Sequence, residues 1–300
     1  MNRKKTRIVF IGCVIFSKEV LKSLLKLKTL EIVGVVTKKN SKFNSDFFSL
    51  ASIAEKNSIP FFFNDKQSTK DLLQFIKSLD PELGFCIGWS NILDKSILKI
   101  PKLGFIGYHP TNLPKNRGRH PIIWSIFLGL KNLTSTFFKM NRLIDGGQII
   151  NKKKINISKN ETAKSLYSKM SQTAIKQINY FLPKYLNQKI KLKKQNLYQS
   201  NFWRKRDRID GIIDWRMSFS AINNLVRALS IPYDGASTFY KNKEYTVWNV
   251  KKGPNSKNNF EPGKIIMIKN KHILIKCWKG SVWITEHNFK KLPNNLEYLR

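Results

Sequence analysis

Residues 103–121 read LGFIGYHPTNLPKNRGRHP, an apolar run followed by a segment that is rich in proline. Proline fixes the backbone angle φ, lacks a hydrogen-bond donor and moves the preceding residue out of the helical region. Such a segment is typical neither of a helix nor of a central strand. We therefore predict that a strand ends here and leads into a rigid loop, which holds His109 and two arginines in fixed positions. Loops on rigid scaffolds commonly carry function.

Strand and helix patterns alternate through the first half of the chain. The first pair is an apolar run over Arg7–Ile11 and an amphipathic segment over Ser17–Lys28, with Ser17 as the expected helix N-cap. This alternation is typical of βαβ units. The predicted fold is therefore α/β, a Rossmann-like, mostly parallel sheet with flanking helices, whose functional loops gather at the carboxyl ends of the strands.

The pattern changes beyond residue 187. Residues 188–202 are rich in lysine and poorly periodic, as in a linker. From residue 203 onward, short β runs separated by turn residues predict a small C-terminal β-barrel of the oligonucleotide-binding (OB-like) kind. We expect a catalytic domain over residues 1–187, a linker over 188–202 and a barrel domain over 203–300.

The chain is strongly basic, with 55 Lys and Arg against 19 Asp and Glu and a net charge of +36. This excess is either a solvated lysine surface or a nucleic-acid footprint, and it attracts phosphate in both cases. No apolar run approaches the roughly 18–20 residues that span a bilayer, so we expect no membrane insertion. The three cysteines are scattered and show no metal-ligand spacing. We therefore expect a cytoplasmic protein without a metal site.

His109 and Asp145 are the candidates for proton chemistry. Histidine titrates near neutral pH, and a carboxylate beside it orients the imidazole and favours the charged form. Asp145 lies in a glycine-containing turn, LIDGGQ, at residues 143–148. Either residue can instead be structural: a histidine that bonds a neighbouring loop, or an aspartate that caps its own turn. No Ser or Cys nucleophile accompanies the pair, which favours direct transfer without a covalent enzyme intermediate.

Two arginines and one strand end are candidate binding elements. Arg117 and Arg119 either hold a phosphate or carboxylate of a ligand or pin the loop to the sheet. The segment Gly88-Trp89-Ser90 either borders a flat ligand or packs into the core. The first strand ends in Gly12, but the G-x-G-x-x-G pattern is missing, which argues against a nicotinamide or flavin site.

Several motifs in order resemble the formyltransferase family, of the methionyl-tRNA formyltransferase type. They are IGYHP at 106–110, IDGGQII at 144–150, WRKR at 203–206 and PYDGA at 232–236. The resemblance covers nearly the whole chain. It implies a Rossmann-like domain that binds 10-formyltetrahydrofolate as co-substrate and transfers its formyl group to a primary amine, followed by a small open barrel.

The resemblance also implies roles for residues. His109 and Asp145 match the family's catalytic histidine and aspartate, whereas the family's catalytic asparagine is replaced by Gly107. Loss of an oxyanion donor can cost ~10²–10³ in rate, so we expect Asn112 or a backbone N–H to take its place. Two segments are expected to flank the pterin. Their residues are Gly88, Trp89, Ser90, Ile92 and Leu93, and Ile144, Gly146 and Gly147.

The sequence leaves two candidate classes of formyl acceptor. The segment over residues 36–46 is basic but short and runs toward a predicted helix, which resembles the branch that formylates nucleotide-linked amino sugars. The net charge favours the alternative acceptor, initiator Met-tRNA. Arg117 and Arg119 are expected to contact the acceptor. Two further functions stay open, a formyltetrahydrofolate hydrolase and a catalytically inactive RNA-binding relative. No oligomeric state follows from these patterns.

Overall fold

The computed structural model of the protein describes residues 4–41, 45–65, 69–255 and 259–300. The chain folds into two compact units. The first unit comprises Met1–Gly118, Leu133–Ile155 and Ser168–Trp203, and the second comprises Arg119–Asn132, Asn156–Tyr167 and Arg204–Arg300. The expected domain boundaries at residues 187 and 203 remain a prediction, because the second unit also takes two short segments, 119–132 and 156–167, from within the expected catalytic domain.

The first unit is built on a sheet and its helices. Its strands are β1 (Thr6–Ile11), β2 (Leu30–Thr37), β3 (Phe61–Phe63), β4 (Leu83–Cys86), β5 (Phe105–His109), β6 (Arg117–Gly118), β7 (Asn132–Lys139), β8 (Gln148–Asn156) and β9 (Phe202–Trp203). The helices α1 (Ile15–Leu25), α2 (Ala51–Lys56), α3 (Thr69–Ser78) and α4 (Lys95–Leu98) connect the first strands. The short strands β6 and β9 pair with each other in parallel.

The central sheet has the strand order β3-β2-β1-β4-β5-β7-β8. The pairs β2–β3, β1–β2, β1–β4 and β4–β5 are parallel, whereas β7 runs antiparallel to β5. The residues Ile8 to Ile11 of β1 have no exposed surface, as expected for a strand covered on both faces. The predicted Rossmann-like, mostly parallel sheet is confirmed.

The connection between β1 and α1 differs from the predicted one. The helix begins at Ile15, and Ser17 lies inside its first turn rather than at the N-cap. The Ser17 hydroxyl accepts a hydrogen bond from the Val14 N–H at 3.2 Å and donates one to the Ile87 carbonyl at 2.6 Å. This side chain therefore ties the start of α1 to the end of β4. Of the predicted basic segment 36–46, residues 42–44 lie outside the described residues.

The second unit contains an antiparallel sheet and two helices. Its elements are α5 (Pro121–Phe127), α7 (Phe219–Ala228), β10 (Ala236–Tyr240), β11 (Lys243–Lys252), β12 (Ile265–Lys269), β13 (His272–Cys277) and β14 (Gly280–His287), and residues of α6 (Ala163–Leu186) belong to both units. The strand order is β10-β11-β14-β13-β12. The predicted C-terminal β domain is confirmed as this sheet. Its outer strands β10 and β12 do not pair with each other, so the sheet is open.

Helix α7 shows why this unit has a core. Its buried residues Ile222, Leu225 and Val226 lie on one face at helical spacing, and the Ser218 hydroxyl accepts a hydrogen bond from the Ala221 N–H at 3.3 Å as the N-cap.

Within the described ranges, no helix of this protein combines the length and the apolarity needed to cross a bilayer.

Candidate active site

His109 is the last residue of β5 and lies beside Thr136 of β7. Because β7 runs antiparallel to β5, its end at Lys139 lies beside Ile106 rather than His109. The turn over residues 140–147 must therefore fold back along the sheet for Asp145 to reach the histidine. The structure brings the two together: His109 Nδ1 lies 3.5 Å from Asp145 Oδ2.

The imidazole of His109 is buried and faces an acceptor on each side. The residue is only 6% exposed. Its Nε2 lies 2.9 Å from the Asn116 carbonyl oxygen, while Nδ1 faces the Asp145 carboxylate. A neutral imidazole carries a single N–H, so only the imidazolium donates to both oxygens. Each side of the ring therefore offers an oxygen to an imidazole N–H.

The Asp145 carboxylate is held by the rigid loop as well as by the histidine. Its Oδ2 accepts a hydrogen bond from the Gly118 N–H at 3.2 Å, and its side chain is 17% exposed. Asp145 has a φ of +50°, and a Cβ at Gly147 would lie 1.7 Å from the Lys139 carbonyl oxygen. Only glycine fits at that approach, which explains why residue 147 is a glycine.

Gln195 completes this arrangement, although the sequence shows no sign of it. Its Nε2 donates to the carbonyl oxygens of Asp145 at 2.8 Å and Gly147 at 2.7 Å. Its Oε1 accepts from Nη2 of Arg117 at 2.8 Å. The residue lies in the segment predicted as a linker, where neither periodicity nor a motif marks it.

Arg117 is buried rather than presented to solvent. It is 4% exposed, and besides Gln195 its guanidinium lies 5.9 Å from the ring centre of Phe202. Burial lowers the pKa of the guanidinium, and the nearby Asp145 opposes that shift. These contacts match the loop-pinning role that the sequence left open, and the expected contact with the acceptor stays a prediction.

Arg119 and Asn112 are two further residues that the sequence analysis predicted to belong to the site. Arg119 belongs to the second compact unit, where it is one of the cations around His120. Asn112 is exposed, and its Oδ1 accepts a hydrogen bond from Lys152 Nζ at 2.9 Å. Its expected role at an oxyanion stays a prediction.

Packing against β7 explains why residue 107 is a glycine. It pairs with Phe138 across β5 and β7. A Cβ at this position would lie 2.8 Å from Cζ of Phe138 and 2.9 Å from Cγ of Met140, closer than real contacts allow. The phenyl ring therefore occupies the space where a side chain at position 107 would stand.

The segment after β4 offers an aromatic and an apolar surface. Trp89 Nε1 is buried and has no hydrogen-bond partner among the described residues. Lys38 Nζ lies 5.3 Å from the centre of the indole ring. Ile92 is 74% exposed and Ile144 is 51% exposed, whereas Leu93 is buried. An unpaired indole N–H and exposed isoleucines on the two predicted pterin-flanking segments fit a flat heterocycle with polar edges.

Comparison with known proteins identifies the family. Residues 6–180 match the formyl transferase family, and residues 205–298 match the formyl transferase C-terminal domain. The chain belongs to the formyl transferase family. This family member shows 33% identity over 270 residues to the bifunctional polymyxin resistance protein ArnA of Wigglesworthia glossinidia brevipalpis, covering 88% of the chain and 40% of ArnA. It thus spans well under half of that relative's length.

Solved structures of low sequence identity share the fold of this formyl transferase. WlaRD, a sugar 3N-formyl transferase crystallised with dTDP and 5-N-formyl-THF, superposes with a TM-score of 0.69 at 19% identity, over 97% of this chain and all of that one. The N-formyltransferase of Helicobacter canadensis, in complex with folinic acid and dTDP-3-aminofucose, gives 0.69 at 18% identity, over 94% and 99%. Among the described residues, no group of three His, Cys, Asp or Glu side chains is placed to hold a metal ion.

Proposed function

We propose that this chain transfers the formyl group of 10-formyltetrahydrofolate to the primary amine of a nucleotide-linked amino sugar. The observation that carries the proposal is the pair of the buried His109 and the partly buried Asp145, 3.5 Å apart, at the positions that match the family's catalytic residues. The pair has the two properties that proton transfer to a tetrahedral intermediate needs, an imidazole that exchanges protons and a carboxylate that orients it.

The folate part of the proposal is supported by the two segments that are expected to flank the pterin. The expected pterin-flanking residues include a buried indole N–H without a partner among the described residues and the exposed side chains of Ile92 and Ile144. Exposed apolar side chains next to fixed polar groups are characteristic of sites for small organic molecules. The two solved relatives named above contain a formyl-folate and a dTDP nucleotide.

The reaction assigns each residue a part. The neutral amine nitrogen attacks the formyl carbon and forms the new C–N bond, while the carbonyl electrons move onto oxygen. When they return, the bond between the formyl carbon and N10 breaks, and the proton lost by the amine ends on N10. His109 donates to the developing oxyanion and relays this proton, and Asp145 orients the imidazole and stabilises its charge. A substrate oxygen competes with the Asn116 carbonyl for the Nε2 proton.

The oxyanion lacks a side-chain donor at position 107. Because Phe138 and Met140 fill that space, a second donor must come from elsewhere. We assign this part to the Asn112 amide, whose Oδ1 is fixed by Lys152, or to a backbone N–H. Proximity of the two bound substrates supplies much of the remaining acceleration.

A direct transfer assay tests the proposal. The purified chain is incubated with 10-formyltetrahydrofolate and a panel of dTDP- and UDP-linked amino sugars, and products are identified by mass spectrometry. The expected result is a formamide on one sugar together with an equal amount of tetrahydrofolate. Formate release in the absence of any amine would instead identify a hydrolase, and no turnover with any acceptor, combined with tight RNA binding, would identify an inactive RNA-binding relative.

Initiator Met-tRNA is the alternative acceptor, and the net charge of +36 favours it. The two acceptors are distinguished by adding both to the same assay at increasing salt. Affinity for tRNA that rests on many phosphate contacts falls steeply with salt, with a log–log slope close to the number of contacts. Formylation of Met-tRNA in preference to every sugar would overturn the sugar assignment and leave the formyl transfer intact.

A further inference from the structure

We infer that Gln195 is a positioning residue for Asp145, and that the segment between the two family domains is therefore part of the active site. This inference rests on the proposed function, because it concerns how the same histidine–aspartate pair is held. It assigns a role to a residue that sequence patterns place in a linker.

Gln195 closes a ring of contacts around the turn that presents the carboxylate. Its Nε2 donates to the carbonyl oxygens of Asp145 and Gly147, two residues of that turn. Gln195 Oε1 accepts from Arg117, and the neighbouring Gly118 N–H donates to Oδ2 of Asp145. One amide thus joins the main chain of the catalytic turn to the loop that holds its side chain.

The orientation of the amide follows from these partners. Two carbonyl oxygens face one end of Gln195 and a guanidinium faces the other, so both N–H groups of the amide meet an acceptor and its oxygen meets a donor. Arg117 is buried and its Nε has no partner among the described residues, so loss of the amide oxygen would remove a hydrogen bond that its Nη2 makes with Gln195 and leave the guanidinium still less satisfied. Buried polar groups without partners are costly, which favours a single conformation of the whole ring.

The path of the main chain around Gln195 supports the same inference. On one side, Lys193 and Ile149 exchange two backbone hydrogen bonds, at 2.8 Å and 3.0 Å. On the other side, the Asn201 carbonyl accepts from the Arg117 N–H at 3.0 Å, and the Asn201 side chain pairs with Asn116. The segment is therefore fixed both before and after Gln195, so the amide is delivered to the turn by a rigid backbone.

The consequence is a defined geometry for the catalytic pair. Asp145 has an uncommon positive φ, and its own carbonyl and that of Gly147 are fixed by Gln195. Without these bonds the turn can relax and move Oδ2 away from His109 Nδ1. A displacement of about 1 Å at a reacting group can cost roughly 100-fold in rate.

The test compares two glutamines of the same segment. In Q195M the side chain keeps its length and loses its hydrogen bonds, and Q199M is the matched control because Gln199 is exposed. We expect kcat for formyl transfer to fall roughly 10- to 100-fold in Q195M, with both KM values within about threefold of the wild type, and Q199M to be unaffected. If Q195M does not fold, Q195A, which leaves room for water, takes its place.

A double-mutant cycle separates positioning from a general structural role. If Gln195 acts through Asp145, the Q195M substitution has little further effect on the residual activity of D145A. Losses that multiply in the double variant, or a kcat of Q195M equal to that of Q199M, would overturn the inference.

A readout without turnover keeps this inference separate from the proposed function. The ¹⁵N–¹H resonances of the His109 imidazole, assigned by their loss in H109Q, are expected to shift in Q195M and to stay in place in Q199M. Unchanged resonances in both variants would exclude a positioning role even if the enzyme transfers formyl groups. A shift in Q195M would support the role even if no acceptor is formylated.

Discussion

Two histidines bracket the same proline-rich loop and lie in opposite electrostatic surroundings. Both ring nitrogens of His109 face oxygens, the Asp145 carboxylate and the Asn116 carbonyl. His120 precedes α5 in the second unit, and its pKa is lowered to about 4, first by burial and then by the cations Arg206, Arg119 and Lys205. His109 is therefore surrounded by hydrogen-bond acceptors, whereas burial and nearby cations keep His120 neutral.

The difference shows that the partners of a histidine, more than its place in a loop, define what it can do. Both residues are withdrawn from solvent, and both follow rigid or strained backbone: His120 has a φ of +55°. At His120, burial and three cations disfavour the charged form, and Asp210 opposes them only in part. At His109, both ring nitrogens face oxygens, and one of these, the Asp145 carboxylate, comes from a chain segment far from it in sequence.

The largest effect is expected from removing either member of the catalytic pair. H109A and D145A should each lower kcat for formyl transfer by roughly 100- to 10,000-fold, because general acid–base groups contribute factors of this size. The measurement is initial velocity with the best acceptor at saturating folate. H120A is the comparison variant, and at pH 8 it should stay within about threefold of the wild type, since its imidazole has no part in the transfer.

Two outcomes would contradict the different roles expected for the two histidines. Full activity in both H109A and D145A would remove the mechanism. A loss in H120A as large as that in H109A, with intact folding, would mean that the two histidines have a common role.

Gly107 is expected to give the next largest effect, this time on stability. In G107A the new Cβ meets the Phe138 ring and Met140 below 3 Å, and overpacking of this kind costs about 1–3 kcal/mol of unfolding free energy. G280A is the matched control, because a Cβ at that strand glycine has no atom within 4 Å. Urea unfolding measures the free energy of unfolding of both variants, G107A and G280A. Equal stabilities of G107A and G280A would contradict the packing explanation for the missing asparagine.

The smallest effect is expected from the titration of His120. Its pKa is about 4 in the folded chain against 6.5 unperturbed, so on acidification the unfolded chain takes up the proton first. Its contribution to stability is therefore present above pH 6.5 and is lost as pH falls from 6.5 to about 4. Allowing for partial exposure, the loss is about 1–2 kcal/mol.

Urea midpoints at pH 7 and pH 4.5 measure this contribution. H120Q should lose less unfolding free energy than the wild type between the two pH values, by the same 1–2 kcal/mol. The exposed His272, changed to Gln, is the control. A wild-type and an H120Q protein with identical pH dependence would show that the cations around His120 do not keep it neutral.

The parallel sheet, and the position of the candidate histidine at the end of a strand, could be predicted from the sequence. Apolar runs alternating with amphipathic segments specify βαβ units, and the prolines after His109 end its strand. The approach of Asp145 to His109 was expected from the family motifs. The rule that functional loops meet at carboxyl ends does not explain it, because β7 is antiparallel and the turn folds back.

Other features depend on contacts that no pattern encodes. Position 107 has room only for glycine because it lies opposite Phe138, and this register exists only once β5 and β7 pair. The role of Arg117 depends on its burial, and that burial is completed by Gln195 and Phe202 from a segment without periodicity. Residues of this kind are found only from the folded structure.

The pairing of β6 with β9 limits where this chain can be truncated. Residues 6–180 match the N-terminal family domain, and a fragment ending at 187 would keep both His109 and Asp145. It would nevertheless lose the strand that pairs with Arg117 and Gly118, together with every polar contact made by residues 193–203. The matched family domain and the contacts that hold His109 and Asp145 thus end at different residues, and we expect that a minimal fragment that keeps these contacts extends through Trp203.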